Sequence, residues 1–446
     1  MNNLKNHPAL NKLETHQVKY IKYIFVDLNG TTKETEVSIE SFWDASDNNF
    51  QIMFDGSSVP GYGSINKSDL FLRPDLDTLG IDTLESSHLG NVAYVFCDII
   101  KTDGKFHECC GRSLLKHTLE KLSKEGYDTV SVGFEPEFFL FDADTYESSG
   151  ILKPIDKGNY FASSHLNKAE GICREIAFTM KEYNLQMEKI SHEVATGQFE
   201  INYKHASALR SCDNFILFRY ITKKIADRYG YIATFMPKPV AGINGSGLHC
   251  NMSLWKDGVN LFKNTQGTEI TSFANKFING ILDNGRALAA ITNSSVNSYN
   301  RLIKGFEAPV YLSYSKSNRS TLIRIPATTG NSARIELRNV DASCNVYLAM
   351  TAIIECGMLG LTTKTKNYEI VSDNLFDLSY DEVVKRELQF LPQSLEEAIL
   401  CLEANKNFRH FFSETFLHSY CKIKMHEWSS FRSTVSKWEI NKYIYN

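Results

Sequence analysis

The sequence predicts an α+β protein built from two domains. Its 446 residues exceed what one hydrophobic core usually organises. The first hundred residues contain β-branched runs and a turn at Asn29-Gly30 that is typical of a hairpin. Strand-like and helix-like segments alternate from there, starting with an amphipathic helix in RSLLKHTLEKLSKEG. We therefore predict an N-terminal domain over residues 1–105 and a larger domain over residues 106–446.

Composition and charge exclude several classes of partner. Hydrophobic residues make up 43% of the chain and charged residues 22%, which is ordinary for a globular protein. The net charge of -4 comes without a basic block, which argues against nucleic acid as a partner. The N-terminal segment lacks the apolar core of a signal peptide, and the apolar runs are too short to span a membrane. We expect a cytoplasmic protein whose scattered cysteines are buried thiols.

Glu135 and Glu137 lie two residues apart in the strand-like segment TVSVGFEPEFFLFDA. Side chains two apart on a strand point to one face, and the surrounding residues here are apolar. Two carboxylates in such a place repel each other unless a cation lies between them. Charged residues also protect sheet edges, but the Phe-Phe-Leu-Phe run that follows argues against a solvated edge. The pair therefore predicts a binding site.

A second pair of glutamates, Glu193 and Glu200, stands in SHEVATGQFEINY at an odd spacing. One unbroken strand would point these two side chains to opposite faces. A break at Thr196-Gly197-Gln198 would bring them together. Solvated glutamates are the commoner outcome for such a pair, so on its own this segment is weak evidence for a site.

A polar strand face follows a glycine-rich loop in GINGSGLHCNMSLW. Its three glycines allow a ligand to approach the backbone closely. After them, His249, Asn251 and Ser253 share one face of the strand. A hydrogen-bonded core residue and a metal ligand remain equal alternatives for His249.

Arginines flank a glutamate in ARIELRNVD, where Arg334, Glu336 and Arg338 share one strand face. A surface ladder of ion pairs would explain this pattern, and so would an anion site, because Arg binds carboxylate and phosphate in a bidentate manner. Arg319 and Arg324 add further positive charge to the otherwise apolar run NRSTLIRIP. Such charge in a core strand indicates an anionic ligand.

These donors are hard oxygens and one imidazole, a set that suits Mg²⁺ or Mn²⁺ better than structural zinc. The clustered arginines indicate a substrate that carries phosphate. The sequence contains neither a P-loop nor a kinase signature. The residues alone therefore predict a two-metal site on strands for ATP-type phosphoryl transfer, and they do not name the acceptor.

Seven motifs in this order closely resemble the type I glutamine synthetases, from about residue 18 to the end of the chain. They are FDGSSV, GFEPEFFLF, HEVATGQFEI, NGSGLHCNMSL, NSYNRLIKGFEAPVYL, SNRSTLIRIP and RIELRNVDASCNVYLA. The HCN form is similar to the bacterial alpha-type subgroup, which is not adenylylated. The resemblance implies an N-terminal β-grasp domain and a glutamine synthetase/guanido kinase-like catalytic domain with a curved antiparallel sheet and surrounding helices.

The resemblance also implies ligands for two Mg²⁺ or Mn²⁺ ions in each site. The expected ligands are Glu137, Glu193 and Glu200 for one ion, and Glu135, His249 and Glu336 for the ion that faces the nucleotide. The residues expected to bind glutamate are Asn244, Gly245, Arg301, Glu307 and Arg338. The residues expected to contact ATP are Glu188, Ser253, Arg319 and Arg324.

The catalytic residues implied by the resemblance are Asp55, Glu307 and Arg319. ATP would phosphorylate the γ-carboxylate of L-glutamate while Arg319 offsets the charge on the phosphoryl group. Asp55 of an adjacent subunit would bind ammonium and remove its proton, and ammonia would then attack γ-glutamyl phosphate. Glu307 would close a flap that keeps water from this intermediate. The expected products are L-glutamine, ADP and phosphate.

The family's assembly is a homo-oligomer of twelve subunits in two stacked hexameric rings, with active sites between neighbours. The C-terminal tail SKWEINKYIYN is unusually aromatic, and it would either fold onto its own domain or dock into a neighbouring subunit. The resemblance favours docking into the facing ring. A transcription-factor partner is left open.

Several positions depart from the pattern of the relatives. Asn251 stands where many relatives have a second histidine, and Phe376 stands near the site of adenylylation, where it offers no acceptor hydroxyl. Ser64 replaces an arginine linked to feedback inhibition by glutamine, which puts that regulation in doubt. Ala162 replaces an aspartate, and His205 replaces an aromatic residue near the adenine pocket, so nucleotide affinity is expected to shift.

Three other functions compete with glutamine synthesis. A γ-glutamyl ligase that uses another amine, such as a polyamine, shares the phosphorylation step, but Asp55 and Ser58 favour ammonium as the acceptor. A non-catalytic regulatory paralogue that binds glutamine would lack a metal ligand or the flap glutamate. A guanidino kinase would lack the DGSS loop and the β-grasp domain.

Overall fold

We obtained a computed structural model of the chain that describes residues 4–263, 270–328 and 330–445. Its strands form two sheets, of six and ten strands. Helices pack around the larger sheet and join it to the smaller one. The predicted α+β class is therefore confirmed.

The six-stranded sheet occupies the N-terminal part of the chain. Its strands are β1 (Val18–Val26), β2 (Thr32–Ser38), β3 (Ile52–Asp55), β4 (Asp69–Pro74), β5 (Gly80–Ser87) and β6 (Gly90–Lys101). They lie in the order β2-β1-β6-β4-β3, β5 pairs with β6, and β1 and β6 are parallel. The predicted hairpin joins β1 to β2, where Gly30 has φ +81° and donates to the carbonyl of Asp27 at 3.0 Å.

The ten-stranded sheet begins with the long strand β7 (Thr129–Asp142). The other strands are β8 (Met187–His192), β9 (Gln198–Tyr203), β10 (Ala206–Ser207), β11 (Tyr231–Thr234), β12 (Leu248–Lys256), β13 (Val259–Asn260), β14 (Tyr314–Lys316), β15 (Ile323–Ile325) and β16 (Ile335–Leu337). Their order is β14-β15-β16-β12-β7-β9-β8, with β10 and β11 also on β7 and β13 on β12. The described pairings are antiparallel except for β14 with β15.

Helices surround this sheet and form the C-terminal part of the chain. They are α1 (Asn11–Thr15), α2 (Ile39–Asp44), α3 (Gly111–Lys124), α4 (Ala143–Ser149), α5 (Glu170–Glu182), α6 (Ala208–Arg228), α7 (Ser272–Asp283), α8 (Gly285–Thr292), α9 (Val296–Arg301), α10 (Val346–Thr362), α11 (Tyr380–Lys385), α12 (Leu395–Ala404), α13 (Phe408–Phe411), α14 (Glu414–Arg432) and α15 (Lys437–Tyr443). Among the described residues, no helix is both long and apolar enough to cross a membrane.

Around Glu135 and Glu137, one face of β7 is apolar and the other carries the two carboxylates. On one face, Phe134 and Phe138 pack against Phe215 and Phe218 of α6, with ring centroids 5.8 and 6.1 Å apart. The alternate residues, Glu135 and Glu137, point away from this core. A buried aromatic layer thus fixes the strand that carries two of the predicted ligands.

A network of buried ion pairs joins the smaller sheet to α3 and α6. The Arg112 guanidinium lies 2.9 Å from carboxylate oxygens of both Asp75 and Asp213, and Lys116 pairs with Asp75 at 2.7 Å and with Asp98 at 2.6 Å. Arg112, Asp98 and Asp213 are buried, and Asp75 and Lys116 are partly buried, so each charge depends on its partners. The network therefore fixes α3 against the smaller sheet.

The sequence pattern predicts a helix from Asp341 to about Leu361, and the corresponding helix, α10, begins five residues later, at Val346. The Asn345 side chain accepts hydrogen bonds from the backbone nitrogens of Tyr347 and Leu348 at 3.1 and 3.3 Å, so it is the N-cap. Its Nδ2 atom also donates to the carbonyl of Asp27, in the turn that follows β1, at 2.8 Å.

Ser379 with Glu382, and Ser394 with Glu397, have the sequence spacing that predicts a capping box, and the two predictions have different outcomes. Ser379 and Glu382 form the reciprocal pair of hydrogen bonds at the start of α11, which confirms the first. Ser394 caps α12 by accepting from the Glu397 backbone at 3.1 Å. The Glu397 carboxylate accepts instead from the backbone of Gln393 at 2.8 Å and from Arg286, so the second box is only half formed.

The cysteines are unpaired, and the C-terminal tail is exposed. All ten cysteines are free thiols, nine of them buried and Cys401 partly so, as expected from the sequence. The tail forms α15, which is exposed along its length, with Trp438 65% accessible, and Tyr445 beyond the helix is 97% accessible. The tail therefore does not fold onto the core of its own chain.

Candidate active site

One cavity of about 230 Å³ on the open face of the large sheet collects most of the predicted site residues. All six predicted metal ligands line it: Glu135, Glu137, Glu193, Glu200, His249 and Glu336. The predicted glutamate contacts also line it, together with two arginines assigned to ATP: Asn244, Gly245, Arg301, Glu307, Arg338, Arg319 and Arg324.

Strand register places the acidic side chains next to one another. His249 of β12 is paired with Glu135 of β7, and Glu137 of β7 is paired with Glu200 of β9. Glu336 lies on β16, the other neighbour of β12. Because paired residues on one face of an antiparallel sheet have adjacent side chains, four strands bring five of the six ligands together.

The remaining ligand, Glu193, reaches the cavity through the tight connection between β8 and β9. Gly197 has φ +67°, which glycine adopts without strain, and the Glu193 nitrogen donates to the Gln198 carbonyl at 2.8 Å. The break predicted at Thr196-Gly197-Gln198 is therefore this connection, and it brings Glu193 and Glu200 to one cavity in spite of their odd spacing.

Crowded negative charge shifts the protonation of the glutamates. Burial, followed by the charges of Glu137 and Glu200, raises the pKa of Glu193 above its ordinary value. Burial and the charges of Glu137 and Glu135 raise the pKa of Glu200 in the same direction. Burial opposes ionisation of Glu135 too, but hydrogen bonds and charge from His249, with the Asn251 amide, outweigh it and lower the pKa of Glu135.

This donor set fits a divalent cation. Ligand atoms of Glu135, Glu200 and His249 all lie within 4.8 Å of one another. His249 Nδ1 lies 3.4 Å from Glu135 and 3.8 Å from Glu336, while its Nε2 lies 3.9 Å from Glu137. Carboxylates and one imidazole in mutual reach match the coordination chemistry of Mg²⁺ or Mn²⁺, and a cation would remove the repulsion that raises these pKa values.

Gln198 contacts both the metal ligands and the glycine-rich loop, and sequence reasoning assigned it no role. Its Nε2 donates to Glu137 at 3.0 Å and to the Gly245 carbonyl at 3.1 Å, and the residue is 2% exposed. It lies two residues before Glu200 on β9, so strand alternation alone places it on the ligand face. That alternation is the signal that would have found it.

The glycine-rich loop lies so close to other groups that side chains do not fit there. A Cβ at Gly245 would stand 2.1 Å from the Pro237 carbonyl, and one at Gly247 would stand 2.7 Å from the Arg301 guanidinium. Arg301 is only 3% exposed and donates to the carbonyls of Asn339 at 2.7 Å and Arg338 at 3.0 Å. These bonds fix its guanidinium at the wall of the cavity.

Two arginines hold Glu336 from opposite sides. Arg338 Nη1 donates to one carboxylate oxygen at 2.6 Å, and Arg324 Nη2 contacts the other. Both arginines were predicted to bind substrate anions, and both line the cavity. Their guanidinium groups have further N–H donors, which leaves donors for a carboxylate or phosphate.

The segment around Glu307 covers one side of the cavity. Glu307 has φ +56°, in the left-handed region that few non-glycine residues adopt. Its carboxylate accepts a hydrogen bond from Asn244 Nδ2 at 2.9 Å, which links this segment to the glycine-rich loop.

A second cavity of about 640 Å³ adjoins the first, and Glu135 and Asn202 line both. The predicted ATP contacts Glu188 and Ser253 line this larger space. His205 lies on its wall and hydrogen-bonds Ser131 at 2.8 Å, so this departure from the relatives does face the cavity. A cavity of this volume accommodates a nucleotide.

Asp55, the predicted ammonium-binding residue, lines neither cavity of its own chain. It ends β3 on an exposed surface and accepts hydrogen bonds from Ser57 N at 2.8 Å and from Ser58 Oγ at 2.6 Å. The hydrogen bonds from Ser57 and Ser58 lower the pKa of Asp55, so its side chain is a carboxylate at neutral pH. Ser64 lies on the same exposed loop and bonds Asn66 at 2.7 Å.

Comparison with known protein families agrees with this architecture. The family model for the glutamine synthetase β-grasp domain matches residues 17–102, and the model for the glutamine synthetase catalytic domain matches residues 108–443. The chain belongs to the glutamine synthetase family. It is accordingly a ligase, and the predicted β-grasp and catalytic folds are confirmed. The finer placement in the alpha-type subgroup stays a prediction.

Individual relatives match nearly the whole chain. Glutamine synthetases of Staphylococcus epidermidis and Staphylococcus aureus are each 38% identical to it, covering 97% of this chain and 96% of theirs. Among solved structures, Plasmodium falciparum glutamine synthetase has a TM-score of 0.87 at 26% identity, covering 99% of both chains. The ADP complex of GmaS has a TM-score of 0.87 at 27% identity, covering 97% of this chain and 98% of that one.

Proposed function

We propose that this chain joins ammonia to L-glutamate with ATP, giving L-glutamine, ADP and phosphate through γ-glutamyl phosphate. One observation carries the proposal: the six acidic and imidazole ligands share one cavity with the predicted glutamate-binding residues, and a nucleotide-sized cavity adjoins it. Phosphoryl transfer requires the acceptor carboxylate and the phosphate chain to meet beside the cations.

Glutamate binding is assigned to the glycine-rich loop and two arginines. The Gly245 backbone and the Asn244 side chain lie on one side of the cavity, and Arg301 and Arg338 lie on the wall. Arg301 is already fixed by backbone carbonyls, so little order has to be gained when a carboxylate binds. These groups would orient the γ-carboxylate toward the metal ligands.

Phosphoryl transfer is assigned to the region where the two cavities meet. Glu188 and Ser253 would hold ATP, and Arg319 and Arg324 would offset the negative charge of the transferring phosphoryl group. Two Mg²⁺ or Mn²⁺ ions, when bound by the predicted ligands, supply charge neutralisation and orientation of the phosphate oxygens. The five carboxylates of the ligand set would then serve as ligands rather than as bases.

Amide formation is assigned to a site shared between subunits. Asp55 is exposed and lines neither cavity of its own chain, so we assign its carboxylate to ammonium binding in the cavity of an adjacent subunit. It would accept the proton that ammonium loses. Glu307, tied to Asn244, would keep water away from γ-glutamyl phosphate.

The proposal includes a dodecamer of two hexameric rings, supported by the exposed aromatic tail and by the position of Asp55. It also includes the domain division after residue 105. A cytoplasmic location is supported by ten unpaired cysteines. A transcription-factor partner stays a prediction from the sequence.

A ligase that uses another amine is the second candidate, favoured by the similarity to GmaS, a gamma-glutamylmethylamide synthetase. Phosphate release with ATP and glutamate, together with mass analysis of the amide, distinguishes the two functions. Ammonium, methylamine and a polyamine are supplied separately over the same concentration range. We expect the highest kcat/KM with ammonium, and a higher kcat/KM with either amine would replace our proposal by the second candidate.

A further inference from the structure

Lys238 is a buried lysine beside the candidate site that has no role in the function proposed above. It lies in the connection after β11 and is 7% exposed. Its backbone nitrogen donates to Asn297 Oδ1 at 2.7 Å, and Asn297 Nδ2 donates back to the Lys238 carbonyl at 3.0 Å. Because Asn297 belongs to α9, which carries Arg301, the backbone of Lys238 is fixed to the wall of the cavity.

The Lys238 ammonium contacts two segments that line the cavity. Nζ donates a hydrogen bond to the carbonyl of Ile243, in the glycine-rich loop. It also lies 3.7 Å from the centroid of the Phe306 ring, which is a close cation–π contact. One ammonium group therefore holds both the loop and the segment that precedes Glu307.

A hydrogen bond between the neighbouring residues joins the same two segments. Ile243 precedes Asn244, Phe306 precedes Glu307, and the side chains of Asn244 and Glu307 are hydrogen-bonded at 2.9 Å. Glu307 holds a positive φ of 56°, a backbone conformation that persists only where surrounding contacts maintain it. Lys238 supplies such contacts on the buried side.

The charge of Lys238 is not balanced by a nearby acid. Within the described ranges its ammonium forms no ion pair with a carboxylate, and its contacts are a carbonyl and a ring. Burial, followed by the charge of Arg301, lowers the pKa of Lys238. A buried cation held in this way costs stability, which indicates a role other than stabilising the fold.

We propose that Lys238 is a positioning residue that fastens the flap, residues 303–308, to the glycine-rich loop, residues 242–247, over γ-glutamyl phosphate. The inference rests on the proposed function, because only an acyl-phosphate intermediate makes closure necessary. When the flap is loose, water attacks the acyl carbon and the bond from that carbon to the phosphate-bearing oxygen breaks. Glutamate and phosphate are returned, and ATP is consumed without amide formation.

The ratio of phosphate released to glutamine formed tests this role, because a general structural defect would lower both products equally. Lys238→Met removes the ammonium and keeps the length of the side chain, and Phe306→Leu removes the ring. Lys256→Met is the matched control. Lys256 also lies over a ring, that of Tyr127 at 5.2 Å, but at the far end of β12, roughly 20 Å from His249.

We expect a ratio near one for the unaltered enzyme and for Lys256→Met at limiting ammonium. Lys238→Met and Phe306→Leu are expected to raise the ratio several-fold. The double variant should have a ratio no higher than the larger single value, since both changes remove the same contact. Unfolding midpoints are measured for each variant, and Phe306→Leu alone carries the test if Lys238→Met does not fold.

A ratio that stays near one in both folded single variants would overturn the role of Lys238. The same conclusion follows if the effects of the two changes multiply in the double variant, because the residues would then act independently. Failure of the unaltered enzyme to form glutamine is a different result, since it would overturn the proposed function itself.

Discussion

Glu193 and Glu200 lie where burial and neighbouring glutamates both oppose ionisation, and this raises the pKa of each carboxyl group. The partners that the two residues have, the Val194 backbone for Glu193 and Lys189 at 3.7 Å for Glu200, do not offset burial and repulsion. A divalent cation relieves this repulsion by bringing opposite charge within reach of all the oxygens. The residues therefore favour cation binding at a cost to the stability of the ion-free protein.

Glu200→Gln tests whether these carboxylates favour cation binding while they destabilise the ion-free protein. Removing one carboxylate lessens the repulsion, so the ion-free variant should unfold at the same temperature as the unaltered protein or higher. The unaltered protein should gain about 2.7 kcal/mol from Mn²⁺ at a hundred times its Kd, and the variant should lose most of that gain. Thermal unfolding with and without Mn²⁺ measures both effects, and an undiminished gain would exclude Glu200 as a ligand.

Asp55→Asn tests the assignment of ammonium binding. The amide cannot remove a proton, so we expect kcat/KM for ammonium to fall by about 100-fold or more. The KM for glutamate should stay within about twofold. Asp69→Asn is the matched control, because Asp69 is exposed and directly paired with Asp55 across β3 and β4. Unchanged turnover of Asp55→Asn at limiting ammonium would contradict the role.

At the residue scale, the sequence predicted most of what the cavity contains. Glu135 and Glu137 followed from the period of a strand, and the family motifs supplied Asn244, Arg301 and Glu307. Gln198 follows from the same strand period, although it was assigned no role. Lys238 was not found, because its importance depends on contacts with Ile243 and Phe306, which lie on other segments. Patterns along one strand do not contain that information.

At the element scale, the sequence predicted the turns and helix caps that depend only on neighbouring residues. The hairpin at Asn29-Gly30 and the N-cap at Ser379 depend on neighbouring residues, and both are confirmed. The start of α10 was predicted wrongly at Asp341, because Asn345 both caps the helix and bonds Asp27 in the turn between β1 and β2. The spacing of Glu193 and Glu200 stayed ambiguous for a similar reason, since strand pairing is set by distant segments.

The ion-pair network that fixes α3 to the smaller sheet gives a pH-dependent prediction. Burial opposes ionisation of Asp75, but Arg112 and Lys116 outweigh it and lower the pKa of Asp75 to about 2. A depressed pKa contributes stability above the unfolded-state value near 4, and that stability is lost as the pH falls toward 2. Asp75→Asn should therefore lower the free energy of unfolding by about 2 kcal/mol at pH 7.

Urea unfolding between pH 3 and pH 7 measures this difference. We expect the difference in the free energy of unfolding between the unaltered protein and Asp75→Asn to become smaller below pH 4. Asp77→Asn is the matched control, because its side chain is largely exposed and only two residues away, and it should leave the midpoint nearly unchanged. A difference in the free energy of unfolding that is the same at pH 3 and pH 7 would contradict the role of Asp75.

At the scale of the whole molecule, two features support the proposed sharing of active sites between subunits. The predicted ammonium residue, Asp55, lies outside the cavity that would use it. The aromatic side chains of α15 are exposed, although apolar groups of this size are usually covered. Both features are explained if neighbouring subunits complete the site and bury the tail.

Removal of residues 434–446 tests the role of the tail. Residues 434–445 contribute no buried side chain to their own chain, so the fold of the subunit should persist. The mass of the assembly, measured by light scattering after gel filtration, should fall below that of twelve chains. Trp438→Ser should weaken assembly in the same direction, and Asn441→Ser, on the same helix, is the control. An unchanged mass after truncation would show that the tail is not an assembly contact.

The central claim is that the γ-carboxylate of glutamate attacks ATP before nitrogen is added. Glutamate labelled with ¹⁸O in both γ-carboxylate oxygens tests it most directly, with ATP and ammonium in unlabelled water. If γ-glutamyl phosphate forms, one labelled oxygen leaves with phosphate and the other stays in the amide of glutamine. Mass spectrometry should therefore find one ¹⁸O in each phosphate released. Glutamine formed together with unlabelled phosphate would contradict the account.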